Sequence, residues 1–372
     1  MANTPLTQLA QTGTSTWLDD LSRGRLQSGN LTELMTERDV VGVTTNPAIF
    51  HTAMTVGDAY NTQLDQLADA GADAAEAVFT MAIEDVRNAC DVLEPVYEET
   101  NGEDGRVSIE VDPRYAADYE QTIAQARELW SRVGKPNAMI KIPATDESLP
   151  AISDALAEGI AVNVTLIFSL QRYQQVVDAY IDGISRAKQA GLDISQIYSV
   201  ASFFVSRVDS EVDGRLEAIG TDEALKLRGA AGVANARLAY DHFENTFTNS
   251  NERWAELAAA GANVQRPLWA STGVKNPDYP ATMYVTGLAG PHTVNTMPEA
   301  TLEATAAADI DQVPDTLSGT GAAAKQTMAQ IAAVGVDIDD VFTLLEKQGV
   351  DKFVASWNEL LDAIGGQLDE RR

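Results

Sequence analysis

The sequence predicts an α/β chain closed as a (β/α)8 barrel, the TIM-barrel class, with additional helices that include a C-terminal helical segment. Three observations predict it. Eight short runs rich in β-branched residues alternate with longer amphipathic stretches, the pattern of parallel strands joined by helical crossovers. A length of 372 residues suits a barrel that carries extra helices. Polar residues gather at the C-terminal ends of the strand runs, where a barrel keeps its chemistry. The alternative architecture, an open doubly wound sheet, would not bring all of these ends around one point.

In chain order the strands fall at residues 16–19, 40–46, 106–111, 138–143, 160–167, 197–205, 267–271 and 282–288. Helical patterns separate them, as at 113–133 and 170–190. Two connections are long. The segment 50–105 carries two helices and the segment 209–266 carries several. No Pro/Gly/Ser linker isolates either, so both read as helical insertions in a single domain spanning 1–372. Residues 301–366 read as C-terminal helices, with Gly365 and Gly366 near their end.

Composition narrows the function classes. Hydrophobic residues make up 45% of the chain, enough for a substantial core, which excludes a disordered chain. No uninterrupted apolar run reaches ~18 residues, so no membrane helix is expected. The start, Met1-Ala2-Asn3-Thr4-Pro5, has neither the basic residues nor the apolar run of a secretory leader. A single cysteine, Cys90, excludes an intramolecular disulfide and suits a reducing cytoplasm. Its apolar-periodic setting reads as a buried structural thiol.

The formal charge of −29 argues against nucleic acid, whose phosphates need a basic footprint. It also means that any site for a phosphorylated ligand must be a local cluster of Arg or Lys. His51, His242 and His292 are scattered without metal-ligand spacing, so no metal is expected. Residues 318–325 faintly suggest a phosphate loop but lack its Gly-Lys-Ser/Thr ending, and read as a helix start.

The candidate chemistry sits at strand ends: Asp19, Thr44, Asn46, Glu110, Lys141, Asn163, Thr165, Ser202 and Ser271. Thr44 with Asn46, Asn163 with Thr165, and Ser202 with Phe204 are each two apart, so each pair shares a strand face. Lys141 interrupts Ala138-Met139-Ile140-Lys141-Ile142-Pro143, a run otherwise suited to burial. A desolvated lysine amine is a nucleophile for carbonyls. From that hexapeptide alone, a strand-end lysine paired with Glu110 or Asp19 fits as well. Glu110 interrupts its own strand in the same way, either as a proton shuttle or as the counter-ion. Asp19 precedes Asp20, and an acidic pair at a strand end is by itself often a helix cap.

Five segments together carry a family resemblance. Val43-Thr44-Thr45-Asn46-Pro47, Ser108 to Arg114, Ile140 to Thr145, Asn163 to Ser169 and Ser202 to Arg207 resemble, in order, the signature segments of transaldolases. The likeness runs from about Thr16 to Ser271, and the C-terminal helices are similar to those of the longer bacterial members. The resemblance implies a cofactor-free enzyme of the pentose phosphate pathway. It would move a dihydroxyacetone unit from sedoheptulose 7-phosphate to glyceraldehyde 3-phosphate, giving erythrose 4-phosphate and fructose 6-phosphate.

By the same resemblance Lys141 is the Schiff-base lysine, and Glu110 the acid/base acting through a water held by Thr165. Asp19 takes the proton of the sugar C4 hydroxyl, while Thr44, Asn46, Asn163 and Ser202 hold the dihydroxyacetone hydroxyls. Phe204 and Ser271 complete the substrate wall, and Arg207 grips the phosphate. One departure stands out. Shorter members follow the seventh strand with Ser-Phe-Arg, whereas this chain reads Ser271-Thr272-Gly273-Val274-Lys275, so Lys275 is the expected replacement for that arginine. Without the resemblance Lys275 reads as a solvated loop lysine.

Two rivals remain at this level. Fructose-6-phosphate aldolases are shorter and tend to have Gln where Glu110 stands and Tyr where Phe204 stands. A non-catalytic sugar-phosphate-binding barrel would not need Lys141, Glu110 and Asp19 together. The expected partners are sugar-phosphate substrates, with a monomeric or homodimeric chain.

Overall fold

The computed structural model describes residues 4–248 and 251–372; residues 1–3, part of the start read above for a leader, lie outside them. Eight strands close a barrel whose chain order is also its spatial order. They are β1 Thr14–Leu18, β2 Val40–Val43, β3 Arg106–Glu110, β4 Ala138–Pro143, β5 Val162–Ile167, β6 Ser199–Phe204, β7 Arg266–Ala270 and β8 Thr293–Met297. Every neighbouring pair is parallel, and β8 closes onto β1.

Seven of these strands overlap the runs read from the sequence, and the eighth does not. Residues 282–288 hold a single helical turn, Met283–Thr286, and β8 lies further on. A short apolar run does not by its period distinguish strand from helix. What commits this run to a turn is its packing. The Tyr284 hydroxyl donates to Asp209 at 2.7 Å, and the Tyr284 carbonyl accepts from the Asn295 amide on β8.

The barrel interior follows strand parity. Trp17 lies opposite Gly42 and Thr296 in the ladder and is fully buried. A Cβ on Gly42 would stand 2.5 Å from the Trp17 ring, so the glycine makes room for the indole. Below it, the Trp17 indole donates to Asp104 at 2.8 Å, and Arg266 donates to the same carboxylate at 3.0 Å. This ion-paired floor closes the N-terminal end.

The long connections are helical, as expected, with one more helix than expected in the first. Pro47–Thr55, Asn61–Asp69 and Ala74–Glu99 fill it, and the second holds Ser206–Ile219, Asp222–Leu225, Ala231–Thr246 and Glu252–Ala259. The run 113–133 opens with a 3-10 turn at Pro113–Tyr115 before the helix Tyr119–Val133. No helix among the described residues is long and apolar enough to cross a membrane.

The C-terminal helix, Ile338–Arg371, decides the shape of the site. Val341, Leu345, Gly349, Phe353, Trp357, Leu360, Ile364 and Leu368 form its buried stripe, a spacing of three or four that lays one face against the barrel. Leu345 and Phe353 pack with Leu166, Phe168 and Phe204 at the strand ends, and Trp357 stacks on Phe79 at 5.0 Å. The helix runs on through Gly365 and Gly366. Each glycine costs about 1 kcal/mol of helix propensity, which burial of Ile364 and Leu368 offsets.

Candidate active site

The ladder sets three side chains in a row. Glu110 on β3 is paired with Lys141 on β4, and Lys141 with Asn163 on β5, so all three point into the barrel. Lys141 is 5% exposed and Glu110 6%. The Lys141 ammonium donates to the Thr45 carbonyl at 3.0 Å and stands 3.7 Å from the Glu110 carboxylate, an ion-pair distance beyond hydrogen-bond length. The Phe353 ring lies 5.8 Å from the ammonium.

Both Glu110 carboxylate oxygens and the Thr165 hydroxyl are buried without a hydrogen-bond partner among the described residues. Groups of that kind are expensive to leave unmatched and mark a place where a reactant or water is to be met. Burial pushes the Glu110 carboxyl up to about 7, against the pull of Lys141. Burial likewise raises Asp19, opposed by Lys141 and by the Thr44 hydrogen bond.

A hydroxyl relay holds Asp19. Thr44 donates to it at 2.7 Å, and the Thr44 and Thr296 hydroxyls are 2.6 Å apart. With the Thr44 proton committed to the carboxylate, Thr296 donates to Thr44. The sequence reading does not include Thr296, because it places the eighth strand at 282–288. The β-branched Thr293-Val294 and Thr296 were the available signal.

A cleft of about 390 Å³ opens above Lys141 at the C-terminal end of the strands. Of the twelve candidates, nine line it: Asp19, Thr44, Asn46, Lys141, Ser202, Phe204, Arg207, Ser271 and Lys275. Glu110, Asn163 and Thr165 do not. Asn163 is fully buried and spends its amide on neighbours, donating to Ser108 at 3.0 Å and accepting from Ser202 at 2.6 Å. It therefore orients Ser202. The sequence pattern places Thr44 and Asn46 within a strand, but β2 ends at Val43. The Asn46 carbonyl oxygen accepts from the Ile49 amide and caps the helix Pro47–Thr55, with Pro47 at the first helical position.

Local backbone serves the same end. Leu166 has φ +62°, and the β5–β6 register shifts between Val164 and Ile167. A non-glycine residue in that region is unusual and held only by its surroundings. The irregularity ends the regular ladder beside Thr165 and turns Leu166 into the cluster beneath the C-terminal helix. Ser271 is held at φ +55°, with its hydroxyl 2.9 Å from that of Ser206.

Positive charge collects at one side. Arg207 lies over the Phe204 ring at 5.4 Å and has a guanidinium nitrogen without a partner. Burial lowers its pKa. Lys275 and Lys352 line the same cleft. Lys352, Phe353 and Ser356 come from the C-terminal helix, which the sequence marked as helical but not as part of the site. Among the described residues, no group of three or more His, Cys, Asp or Glu side chains is placed to hold a metal.

The pattern of the transaldolase/fructose-6-phosphate aldolase family matches residues 16–364. The chain belongs to this family. Within the transaldolase/fructose-6-phosphate aldolase family, a protein of Mycolicibacterium smegmatis called transaldolase is 60% identical over 371 residues, 99% of each chain. The Mycobacterium tuberculosis protein of that name is 58% identical over 367 residues, 99% of this chain and 98% of its own. The Mycobacterium leprae one is also 58% identical over 367 residues, 99% of this chain and 97% of its own. The family thus spans the barrel and the C-terminal helix alike.

Proposed function

We propose that Lys141 carries the reaction as a Schiff base to a ketose phosphate, with Glu110, Thr165 and Asp19 moving the protons. The activity is the transaldolase transfer, in which a dihydroxyacetone unit passes from sedoheptulose 7-phosphate to glyceraldehyde 3-phosphate. The observation that carries the residue assignment is the buried Lys141 amine at the base of a cleft large enough for a sugar phosphate, with the buried Glu110 carboxylate 3.7 Å behind it.

The geometry supports the following steps. Lys141 must lose a proton before it can attack a carbonyl carbon, and Glu110 is the group beside it with unmatched oxygens. A carboxyl pushed up to about 7 both takes and returns that proton near neutral pH. The amine adds to the ketose carbonyl to form a carbinolamine. Its hydroxyl leaves as water with the proton that Glu110 returns, by way of a water held by Thr165, and an iminium remains. Asp19, a stronger base for its burial, takes the C4 hydroxyl proton. The C3–C4 bond breaks, its electrons enter the iminium, and an enamine stays on Lys141 while the aldehyde departs. The acceptor aldehyde reverses these steps, its oxygen taking the proton from Asp19.

Ser202, Thr44 and Asn46 hold the hydroxyls of the bound fragment, with Asn163 fixing Ser202. Phe204 and Phe353 wall the enamine from water. Arg207, Lys275 and Ser271 bind the phosphate, a local positive site in a strongly acidic chain. Glu110 and Phe204, where fructose-6-phosphate aldolases tend to have Gln and Tyr, favour transfer over release. We place the activity in the cytoplasm, which the buried thiol of Cys90 suits, and treat the chain as one working unit.

Product analysis tests the reading. Given fructose 6-phosphate and erythrose 4-phosphate, the protein should form sedoheptulose 7-phosphate. Free dihydroxyacetone as the main product would make it an aldolase.

A further inference from the structure

We infer that Lys352, on the C-terminal helix, is a third phosphate-binding cation that sets the preference for phosphorylated over unphosphorylated sugars. This rests on the sugar-phosphate reading of the cleft above Lys141 and adds a residue to it.

Two close contacts hold the C-terminal helix over the strand ends. Gly349 packs so closely that a Cβ there would lie 3.0 Å from Phe168 and 3.2 Å from Leu166. One turn further on, Phe353 is buried with its ring 5.8 Å from the Lys141 ammonium. These two contacts leave little freedom in the rotation or height of the helix over the strand ends. Residues 352, 353, 355 and 356 therefore form one face at helical spacing, and all four line the cleft. The residue beside Phe353 on that face is a lysine.

Its surroundings give it nothing else to do. Lys352 is exposed and lines the cleft, and among the described residues neither an ion pair nor a hydrogen bond occupies its ammonium; Lys347 on the same helix is also without an ion pair but does not line the cleft, whereas Arg172, Arg215 and Arg371 are tied to carboxylates. Among the described residues, Arg207 and Lys275 on the same cleft also form no ion pair with a carboxylate, although Lys275 is near enough to Asp19 to lower its pKa. Three unpaired cations around one opening, in a chain with 55 acidic and 26 basic residues, make a dianion the ligand class that fits. Arg207 supplies a planar fork, and the two lysines supply mobile point charges. Because Lys275 and Lys352 come from different segments, a phosphate between them would also link the C-terminal helix to the loop after β7.

The test uses the full-length protein and borohydride trapping on Lys141, with half-saturation measured for fructose 6-phosphate and for dihydroxyacetone, which has no phosphate. Inorganic phosphate serves as competitor. Lys352→Ala should raise the half-saturating concentration of fructose 6-phosphate about tenfold or more, the range for a charge-assisted contact. It should weaken competition by inorganic phosphate by a similar factor, and should lower the ratio of the two substrates' trapping efficiencies. Lys352→Arg should restore most of both. Equal losses with the two substrates would mean that Lys352 only props the helix, and would overturn the inference. No change in the fructose 6-phosphate value, in a wild type that is trapped, would overturn it alone. A wild type that is not trapped would overturn the Schiff-base reading as well.

Discussion

Replacing Glu110 by Gln keeps the shape of the side chain and removes its charge, and the consequence can be worked out from burial. In the folded chain the carboxyl is pushed from an ordinary 4.5 up to about 7 by desolvation, with Lys141 opposing. Between those values the folded state holds a proton that the unfolded state has lost. Stability from this group is therefore full below about pH 4.5 and is lost as pH rises through 7. At about 1.4 kcal/mol per pH unit, the rise is worth on the order of 3 kcal/mol, an upper bound for a carboxyl held beside an opposite charge.

The assay is urea unfolding of wild type and Glu110→Gln from pH 4.5 to 8, read as the difference between the two so that groups apart from Glu110, such as Asp209, which burial pushes up to about 6, largely cancel. The wild type should lose stability relative to the variant across that window, by about 1–3 kcal/mol. Parallel curves, or a wild type that gains stability with rising pH relative to the variant, would refute the placement of an unmatched carboxyl beside Lys141. The same variant should lose about 10²–10⁴ in kcat, the range for a general acid/base.

Other predictions follow from single contacts. Thr44→Val removes the donor to Asp19, so the Asp19 carboxyl should rise further, moving the acid limb of the kcat profile to higher pH. The rate should fall about 10–100-fold, and Thr44→Ser should recover most of it; an unmoved acid limb would contradict the relay. Gly42→Ala places a methyl 2.5 Å from a fully buried Trp17. Overpacking of that kind should cost about 3 kcal/mol or more in urea unfolding, and a loss below about 1 kcal/mol would mean that the barrel centre is looser than described. Thr296→Val should lower kcat in the direction of Thr44→Val but less, since Thr296 reaches Asp19 only through Thr44.

The barrel was legible because seven strands announce themselves as β-branched runs in a parallel sheet buried on both faces. The eighth did not, because Thr293–Met297 is short and half polar, while the more apolar 282–288 is committed to a turn by Asp209 and Asn295. Asp209 lies 75 residues from Tyr284 and Asn295 lies 11, so both contacts fall outside the run itself. Lys141 and Glu110 were legible as charges interrupting apolar strands. Asn163 was visible as a strand-end polar residue, but its confinement between Ser108 and Ser202 was not, since register decides it. Lys352 and Phe353 were invisible as site residues. Their helix is amphipathic like many others, and only its passage over the strand ends, fixed by Gly349 and Trp357, gives those two positions a role.

The central claim is covalent, and one measurement addresses it directly. The protein is incubated with fructose 6-phosphate, reduced with borohydride and digested, and the adduct is located by mass spectrometry. A reduced sugar adduct is expected on Lys141 and absent from Lys141→Arg, whose guanidinium retains the charge but is not a useful nucleophile. No adduct, or an adduct on another lysine that persists in Lys141→Arg, would contradict it.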